Sequence, residues 1–403
     1  MSPVTRKASA KPTAKQAAPR ASSAAPALAQ QAARYQRVAL MLQGGGALGS
    51  YQVGVYQALA EANCLPSWVC GVSIGAINGA LIAGNAPAKR LERLQEFWAL
   101  IAGRSAGPLA QGGDPFRAWA SAASAWMTSN LGQPGFFSPR MVSPWLVPPL
   151  TSHAGDPAST SLYDTSPLRA TLERLVDFER LNSGETRLSV GAVNVATGNN
   201  VFFDTAHQRL GPEHIMASGA LPPALPMVQI GKDFFWDGGI VSNTPLQYLL
   251  EQEEDVSSLV FQVDLFSAQG AVPKDMGEVS SRQKDITYSS RTRQATSAFK
   301  RTLALRRQLA DALARVPAKQ LRPGEADRMR DYQDAGVVNL VHLIYQAKYF
   351  EGDTKDYEFS SEAVALHSKA GYADTAASLA RPEWLEPPSA DVGLVEHDIH
   401  RKN

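Results

Sequence analysis

Gly71-Val72-Ser73-Ile74-Gly75 places a serine between two glycines, the G-x-S-x-G spacing typical of a nucleophile on a sharp strand-to-helix turn. The apolar run Trp68–Val72 before it predicts a strand, and the small residues of Ser73–Ala83 predict a helix. Glycines at both flanks leave room for a strained turn that exposes the serine hydroxyl. The sequence therefore predicts Ser73 as a nucleophile, with an ordinary Gly/Ser turn as the plain alternative.

A second glycine-rich loop, Gln43–Ser50, follows the predicted strand Arg37–Gln43 and opens a predicted helix. Its G-x-G-x-x-G spacing suits either the pyrophosphate of a dinucleotide or the oxyanion of an ester under attack. A dinucleotide site also needs an acid roughly 20 residues further on, at the end of the second strand. No acid lies between Glu61 and Glu92. The loop is therefore interpreted as an oxyanion hole in which the N–H groups of Gly45 and Gly46 are donors and that of Ala47 is a further candidate.

The candidate base lies in the stretch FFWDGGI, where aromatic strand residues end at Asp237, Gly238 and Gly239. The glycines allow another backbone or side chain to come close to the carboxylate. A carboxylate is a weak base at neutral pH unless its site is dry, and the aromatic residues before it favour such a site. The alternative is a Ser-Asp-His triad using His342 or His367, but neither histidine lies in a supporting local motif.

Three stretches, GGGALGSYQVGVYQAL, GVSIGAINGAL and ASGALPPALP followed by FFWDGGIVSNTPL, together resemble the patatin-like phospholipases in that order. The resemblance spans roughly residues 38–265. It implies an oxyanion hole at Gly44, Gly45 and Gly46, a nucleophile at Ser73 and a Ser-Asp dyad completed by Asp237 without histidine. Leu48 departs from the family pattern, since many members carry Arg or Lys there.

The resemblance continues beyond the catalytic motifs. The stretches KDITYSSRTRQ and DYEFSSEAVALHSKAGYADT resemble a C-terminal extension found in a bacterial subgroup of the family. The resemblance implies no mechanism for this extension.

The order of strands, glycine loops and helices predicts an α/β fold, a three-layer α/β/α sandwich with a mostly parallel central sheet and a helical C-terminal extension. We expect a disordered basic Ala/Pro-rich tail at 1–36, a catalytic domain at 37–265 and a mostly helical extension at 266–403. Within the catalytic domain, residues 103–158 predict an irregular insertion or lid.

Composition limits the partners. The 39 basic and 38 acidic residues give a formal net charge of +1, which favours no nucleic-acid partner. Cys64 and Cys70 suggest neither a disulfide framework nor a metal site, so we expect no cofactor, no metal and a cytoplasmic location. No apolar run is long enough to span a bilayer, so a lipid substrate would be met from the water side.

The leading hypothesis is a serine acyl hydrolase that cleaves lipid acyl esters through an acyl-enzyme. The alternatives are an esterase for short esters or an intracellular polyester, and a dinucleotide-binding protein that uses the glycine loop. Peripheral contact with a membrane or granule surface is expected through the basic tail, the basic helix around 299–316 or the aromatic insertion. The aromatic side chains of that insertion could instead line an acyl groove; they are Trp119, Trp126, Phe136, Phe137 and Trp145.

Overall fold

A computed structural model describes residues 25–102, 114–140, 160–252, 256–290, 292–317, 320, 322, 324, 336–348, 351–389 and 392–400. Of the expected disordered tail, residues 1–24 therefore lie outside the described residues. Of the expected insertion, residues 103–113 and 141–158 lie outside them too.

The centre of the molecule is a nine-stranded sheet with the order β11-β10-β9-β1-β2-β5-β8-β7, in which β6 also pairs with β5. The pairings from β11 to β5 are all parallel, and those of β6, β7 and β8 are antiparallel. The strands of this sheet are β1 (Arg37–Leu42), β2 (Trp68–Val72), β5 (Arg187–Asn194), β6 (Asn200–Asp204), β7 (Val228–Ile230), β8 (Asp233–Asp237), β9 (Ser258–Asp264), β10 (Val338–Ile344) and β11 (Leu394–Asp398). A separate antiparallel pair is formed by β3 (Ser138–Pro139) and β4 (Tyr163–Asp164).

Helices cover both faces of the sheet, because the central strands are apolar on both sides. Leu40 and Leu42 of β1 pack into the larger core, whereas Ala39 and Met41 pack into a smaller core on the opposite face. The described helices are α1 (Ala25–Ala32), α2 (Tyr51–Glu61), α3 (Ile74–Ala83), α4 (Pro87–Ile101), α5 (Asp114–Leu131), α6 (Ser166–Leu175), α7 (Phe178–Leu181), α8 (Pro212–Ser218), α9 (Leu246–Leu250), α10 (Met276–Tyr288), α11 (Thr292–Ala314) and α12 (Ser361–Leu379). The predicted α/β/α fold with a helical C-terminal region is confirmed.

The C-terminal region also takes part in the sheet, which differs from the expected mostly helical extension. Strand β10 pairs with β9, and β11 pairs with β10, so the proposed boundary at residue 265 falls inside one continuous sheet. The last long helix, α12, packs on α2 where Gly54 meets the backbone of Ser368 and Gly371 meets the backbone of Tyr51.

Two other segments are more ordered than the sequence suggested. Residues 25–36, expected as part of a disordered tail, contain α1, and the side chains of Leu28, Ala32 and Tyr35 are buried against the larger core. The supposedly irregular insertion contains α5, an 18-residue helix. Both helices form in Ala-rich sequence, in which few large apolar side chains mark the face that packs.

Candidate active site

Ser73 lies at a strained turn between β2 and α3. Its backbone has φ 57° and ψ −126°, a conformation that non-glycine residues rarely adopt. The flanking glycines permit this turn: a Cβ on Gly71 would lie 2.3 Å from the carbonyl oxygen of Gly75, and one on Gly75 would lie 2.3 Å from that of Leu42. The strain is typical of functional sites, where the surrounding structure holds a residue in place.

Ser218 holds the turn from the other side, a role that sequence reasoning missed. The backbone N–H of Ser73 donates to both the carbonyl oxygen (3.1 Å) and the side-chain oxygen (3.0 Å) of Ser218. The Ser218 hydroxyl donates in turn to the carbonyl oxygen of Gly191 at 2.6 Å. The end of α8 is thereby joined to both β2 and β5.

Asp237 ends β8 next to Ser73. Its carboxylate lines the same cavity as the Ser73 side chain, and it accepts the N–H of Gly239 at 2.7 Å. Only 2% of the residue is exposed. Burial raises the pKa of Asp237 to about 6, although the Ser73 side chain and the Gly239 N–H counteract part of that rise. The carboxylate is therefore ionised at neutral pH yet more basic than an exposed aspartate.

The glycine loop lies directly beside Ser73. A Cβ on Gly44 would lie 2.8 Å from the Ser73 Cβ, so only glycine fits there. Gly46 has φ 54° and opens a short 3-10 turn, Gly46–Ser50. Within the described part of the chain, no acceptor pairs with the N–H groups of Gly44, Gly45 or Gly46. Such unpaired donors can stabilise a developing oxyanion.

Gln43 and Asn243 fix this loop to its neighbours. The Gln43 side chain accepts the N–H groups of Leu265 and Phe266 and donates to the Tyr288 carbonyl oxygen. The Asn243 amide donates to the carbonyl oxygens of Gly44 (3.0 Å) and Tyr288 (3.1 Å). Leu48, the departure from the family pattern, is buried in the larger core, where a charged side chain would be costly.

A cavity of about 170 Å³ opens above these groups, and the three loop glycines, Ser73 and Asp237 all line it. The structure thus brings together the residues predicted from the sequence. Most of the remaining wall is apolar or aromatic, with Ile74, Ile77, Phe136, Phe137, Leu221 and Phe359.

The aromatic insertion contributes to this wall only in part. Phe136 and Phe137 are buried and line the cavity, whereas Trp126 is 65% exposed. Trp145 and the side chain of Trp119 lie outside what the structure describes.

Neither histidine of the alternative triad reaches the cavity. His367 is buried between Ser50, which contacts its Nδ1 at 3.3 Å, and Glu351, which contacts its Nε2 at 2.5 Å. His342, within β10, lies near Asp264 at the end of β9. Among the described residues that line the cavity there is no histidine.

The C-terminal region supplies one whole side of the cavity, which sequence reasoning missed. Lys284 and Tyr288 reach it from α10, and Asp356, Tyr357 and Phe359 reach it from the segment before α12. The carbonyl oxygen of Asp356 lies against Gly46, since a Cβ there would be 2.2 Å from it. The available signal was the pair of stretches KDITYSS and DYEFSS, which contain all five residues.

The chain is similar to known proteins in two parts of its length. Residues 40–250 match a family model described as patatin-like phospholipase, and residues 286–391 match a second model described as patatin phospholipase. A cGAMP-activated phospholipase from Escherichia coli is 35% identical over 109 residues, a match that spans 24% of this chain and 31% of that relative. VipD from Legionella pneumophila aligns over 86% of this chain and 67% of its own, with 18% identity and a TM-score of 0.37.

The first family model covers more than half of the chain and includes Ser73, Asp237 and the glycine loop. The second covers most of the C-terminal side of the cavity. The chain belongs to the patatin-like phospholipase family.

Proposed function

We propose that the protein is a serine acyl hydrolase that cleaves lipid acyl esters with a Ser73–Asp237 dyad. The observation that carries the proposal is that both side chains line one mostly apolar cavity, beside glycine-loop N–H groups that have no acceptor among the described residues. The apolar wall suits an acyl chain better than a short polar ester.

The proposed reaction proceeds in two halves. Asp237 accepts the Ser73 hydroxyl proton while the serine oxygen attacks the acyl carbonyl carbon, and N–H groups of Gly44, Gly45 and Gly46 stabilise the resulting oxyanion. The tetrahedral intermediate then expels the alcohol, which takes the proton from Asp237, and leaves an acyl-enzyme. A water molecule, deprotonated by Asp237, attacks the acyl-enzyme and releases the fatty acid and the free serine.

A fluorophosphonate probe tests the nucleophile directly. We expect one adduct, on Ser73, and loss of both labelling and ester hydrolysis by at least about 1,000-fold in Ser73→Ala, as when a catalytic serine is removed elsewhere. Because alanine keeps the Cβ and removes only the hydroxyl, the variant should keep its thermal melting temperature. An adduct on another residue, or hydrolysis that survives the substitution, would refute the dyad.

The proposal includes peripheral contact with a membrane or lipid granule, since water-insoluble esters are presented at such surfaces. None of the helices within the described ranges is both long and apolar enough to cross a bilayer. Exposed apolar side chains support surface contact, among them Ile240 and Val241, which follow the Asp-Gly-Gly turn. Co-sedimentation of inactive Ser73→Ala with phospholipid vesicles measures it.

An esterase acting on a non-lipid ester is the second candidate, because the same dyad would cleave any acyl ester that fits the cavity. Rates on a long-chain lipid, a short nitrophenyl ester and a polyester separate the two. We expect the long-chain lipid to give the highest kcat/KM, since its acyl chain contacts the aromatic wall.

A further inference from the structure

The catalytic cavity has two chemically different sides. The side next to Phe136, Phe137 and Phe359 is aromatic. The side formed by α10 and the turn before α12 instead presents an ammonium group on Lys284 and phenol groups on Tyr288 and Tyr357. An acyl ester has the same division, with an apolar chain on one side of the reacting carbonyl and a polar alcohol on the other.

Two adjacent ion pairs hold the polar side in place. The Lys284 ammonium lies 2.8 Å from the Asp356 carboxylate, and the neighbouring Asp285 lies 2.6 Å from Lys355. Two consecutive residues of α10 thus pair with two consecutive residues of the turn. In one pair α10 supplies the cation, and in the other it supplies the carboxylate. The Lys355 side chain is only 2% exposed, so this second ion pair is largely buried and salt weakens it little.

Lys284 retains capacity to bind a ligand. Its ammonium donates to the Asp356 carboxylate and to the Asp353 carbonyl oxygen at 2.6 Å. Since an ammonium group has three N–H donors, one is left for a ligand in the cavity. Lys284 is also the only cationic side chain among the described residues that line the cavity.

The two phenols beside it are neutral donors. Burial, together with the nearby carboxylates of Asp356 and Asp237, raises the pKa of Tyr288 and Tyr357. Among the described residues, neither hydroxyl donates a hydrogen bond to another residue. The ammonium and the phenols together suit an anionic oxygen such as that of a phosphate group.

We propose that Lys284, Tyr288 and Tyr357 form a subsite that binds the phosphate group of the substrate, so that the C-terminal region selects phosphate-bearing glycerolipids over uncharged ones. This inference rests on the proposed hydrolase function. Asp356 holds the ammonium in position but also competes with the phosphate for it. Lys284 and Asp356 therefore have opposite effects on the preference for an anionic substrate.

The opposite effects allow a test that separates binding from structural support. The substrates are 1-acylglycerol 3-phosphate and the 1-monoacylglycerol with the same chain, both as monomers, and the readout is the ratio of their kcat/KM values. We expect Lys284→Met to lower the ratio about 10-fold or more, because it removes a charged donor. Asp356→Asn should raise the ratio, since the ammonium remains and its competitor is neutral.

If the ion pair were purely structural, both substitutions would break the same pair. Each would then change kcat/KM for the two substrates by the same factor and leave their ratio unchanged. Equal ratios in the two variants, or shifts in the same direction, would overturn the subsite. Lys284→Arg keeps a cation and should retain most of the ratio, which guards against a folding defect in Lys284→Met. Lys89→Met removes an exposed lysine of α4 and should leave the ratio unchanged.

Different results would reject the proposed hydrolase function and the proposed phosphate subsite. If Ser73→Ala still hydrolyses the monoacylglycerol, the dyad itself is wrong. If hydrolysis depends on Ser73 but the ratio does not respond to Lys284 or Asp356, the dyad stands and the phosphate subsite is rejected.

Discussion

Asp237 must be charged to act as a base, yet it lies where charge is unfavourable. The apolar surroundings that raise its pKa to about 6 make it a stronger base than an exposed aspartate. The same surroundings make the ionised form less stable in the folded protein than in the unfolded chain. Activity and stability therefore depend on the protonation of one residue in opposite ways.

The pH dependence of hydrolysis should show this base. Since only the carboxylate accepts the serine proton, kcat/KM on a soluble ester should fall as the pH drops through about 6, by about tenfold per unit below it. Initial rates between pH 4.5 and 8 measure the profile. A rate that stays constant down to pH 5 would contradict a base with this pKa.

The substitution Asp237→Asn should abolish activity but increase the free energy of unfolding at neutral pH. Between the unfolded pKa near 3.8 and the folded pKa near 6, the folded state binds more protons, so its stability falls as pH rises through this window. Asparagine can still accept the Gly239 N–H but does not titrate. The variant should be inactive and, above pH 7, more stable by up to roughly 3 kcal/mol.

Urea unfolding of the wild type and Asp237→Asn at pH 4 and pH 8 checks this. The gain in the free energy of unfolding should be large at pH 8 and small at pH 4. A gain that is the same at both values would show that desolvation of the carboxylate is not its source.

At the scale of elements, the crossing of α2 and α12 joins the glycine loop to the C-terminal region. A Cβ on Gly54 would lie 1.8 Å from the Ser368 carbonyl oxygen, and one on Gly371 would lie 2.0 Å from the Tyr51 carbonyl oxygen. Both contacts are with backbone, which cannot rotate away. The two helices therefore approach as closely as they do only because each has a glycine at the crossing.

Alanine at either position should destabilise the protein. A Gly→Ala change inside a helix ordinarily stabilises it by about 1 kcal/mol. Here the helices would have to separate, and we expect Gly54→Ala and Gly371→Ala each to cost roughly 2–3 kcal/mol. Gly277→Ala in α10, whose added Cβ would have its nearest neighbour at an ordinary 3.4 Å, is the matched control for thermal unfolding. Equal melting temperatures for the three variants would disprove the close crossing.

The predictable site residues share one property: each lies where a strand ends, within a local sequence pattern. Ser73 directly follows β2, Asp237 is the last residue of β8, and glycines mark both turns. Lys284 and Tyr288 had no such marker, because α10 has no buried residue and its sequence does not show which side faces the cavity. Their position depends on contacts with residues about 70 positions later.

The same reason explains why the C-terminal strands could not be placed in the sheet from the sequence. The apolar run 337–345 is typical of a strand, but its pairing with β9 joins segments separated by α10 and α11. Strand β11 has the sequence LVEHD, whose charged residues give little strand signal. Its place in the sheet follows from pairing with β10.

At the scale of the whole molecule, the catalytic and C-terminal regions share one sheet. All seven residues of β9 are buried, and β10 covers the edge that β9 would otherwise expose. Tyr35, which precedes β1, donates its hydroxyl proton to the Leu385 carbonyl oxygen at 3.1 Å and accepts from Asn339 of β10 at 2.8 Å. The catalytic region at 37–265 therefore shares its sheet and part of its core with later residues.

A chain that ends at Leu265 should fail to fold cooperatively. It would expose the apolar edge of β9 and one face of α2, and an uncovered apolar edge strand favours aggregation. We expect insoluble protein, or soluble protein without a thermal transition by circular dichroism. A soluble, cooperatively melting fragment would show that the catalytic region is an independent domain.

The contact of Asp356 with Gly46 has a consequence for the order of events during synthesis. The ribosome produces the serine, the aspartate and the glycine loop well before the residues that complete the cavity. A nascent chain therefore has its reactive groups but lacks the wall that excludes water and the strands that complete the sheet. The cavity can therefore be completed only after Phe359, in the last third of the polypeptide, has emerged.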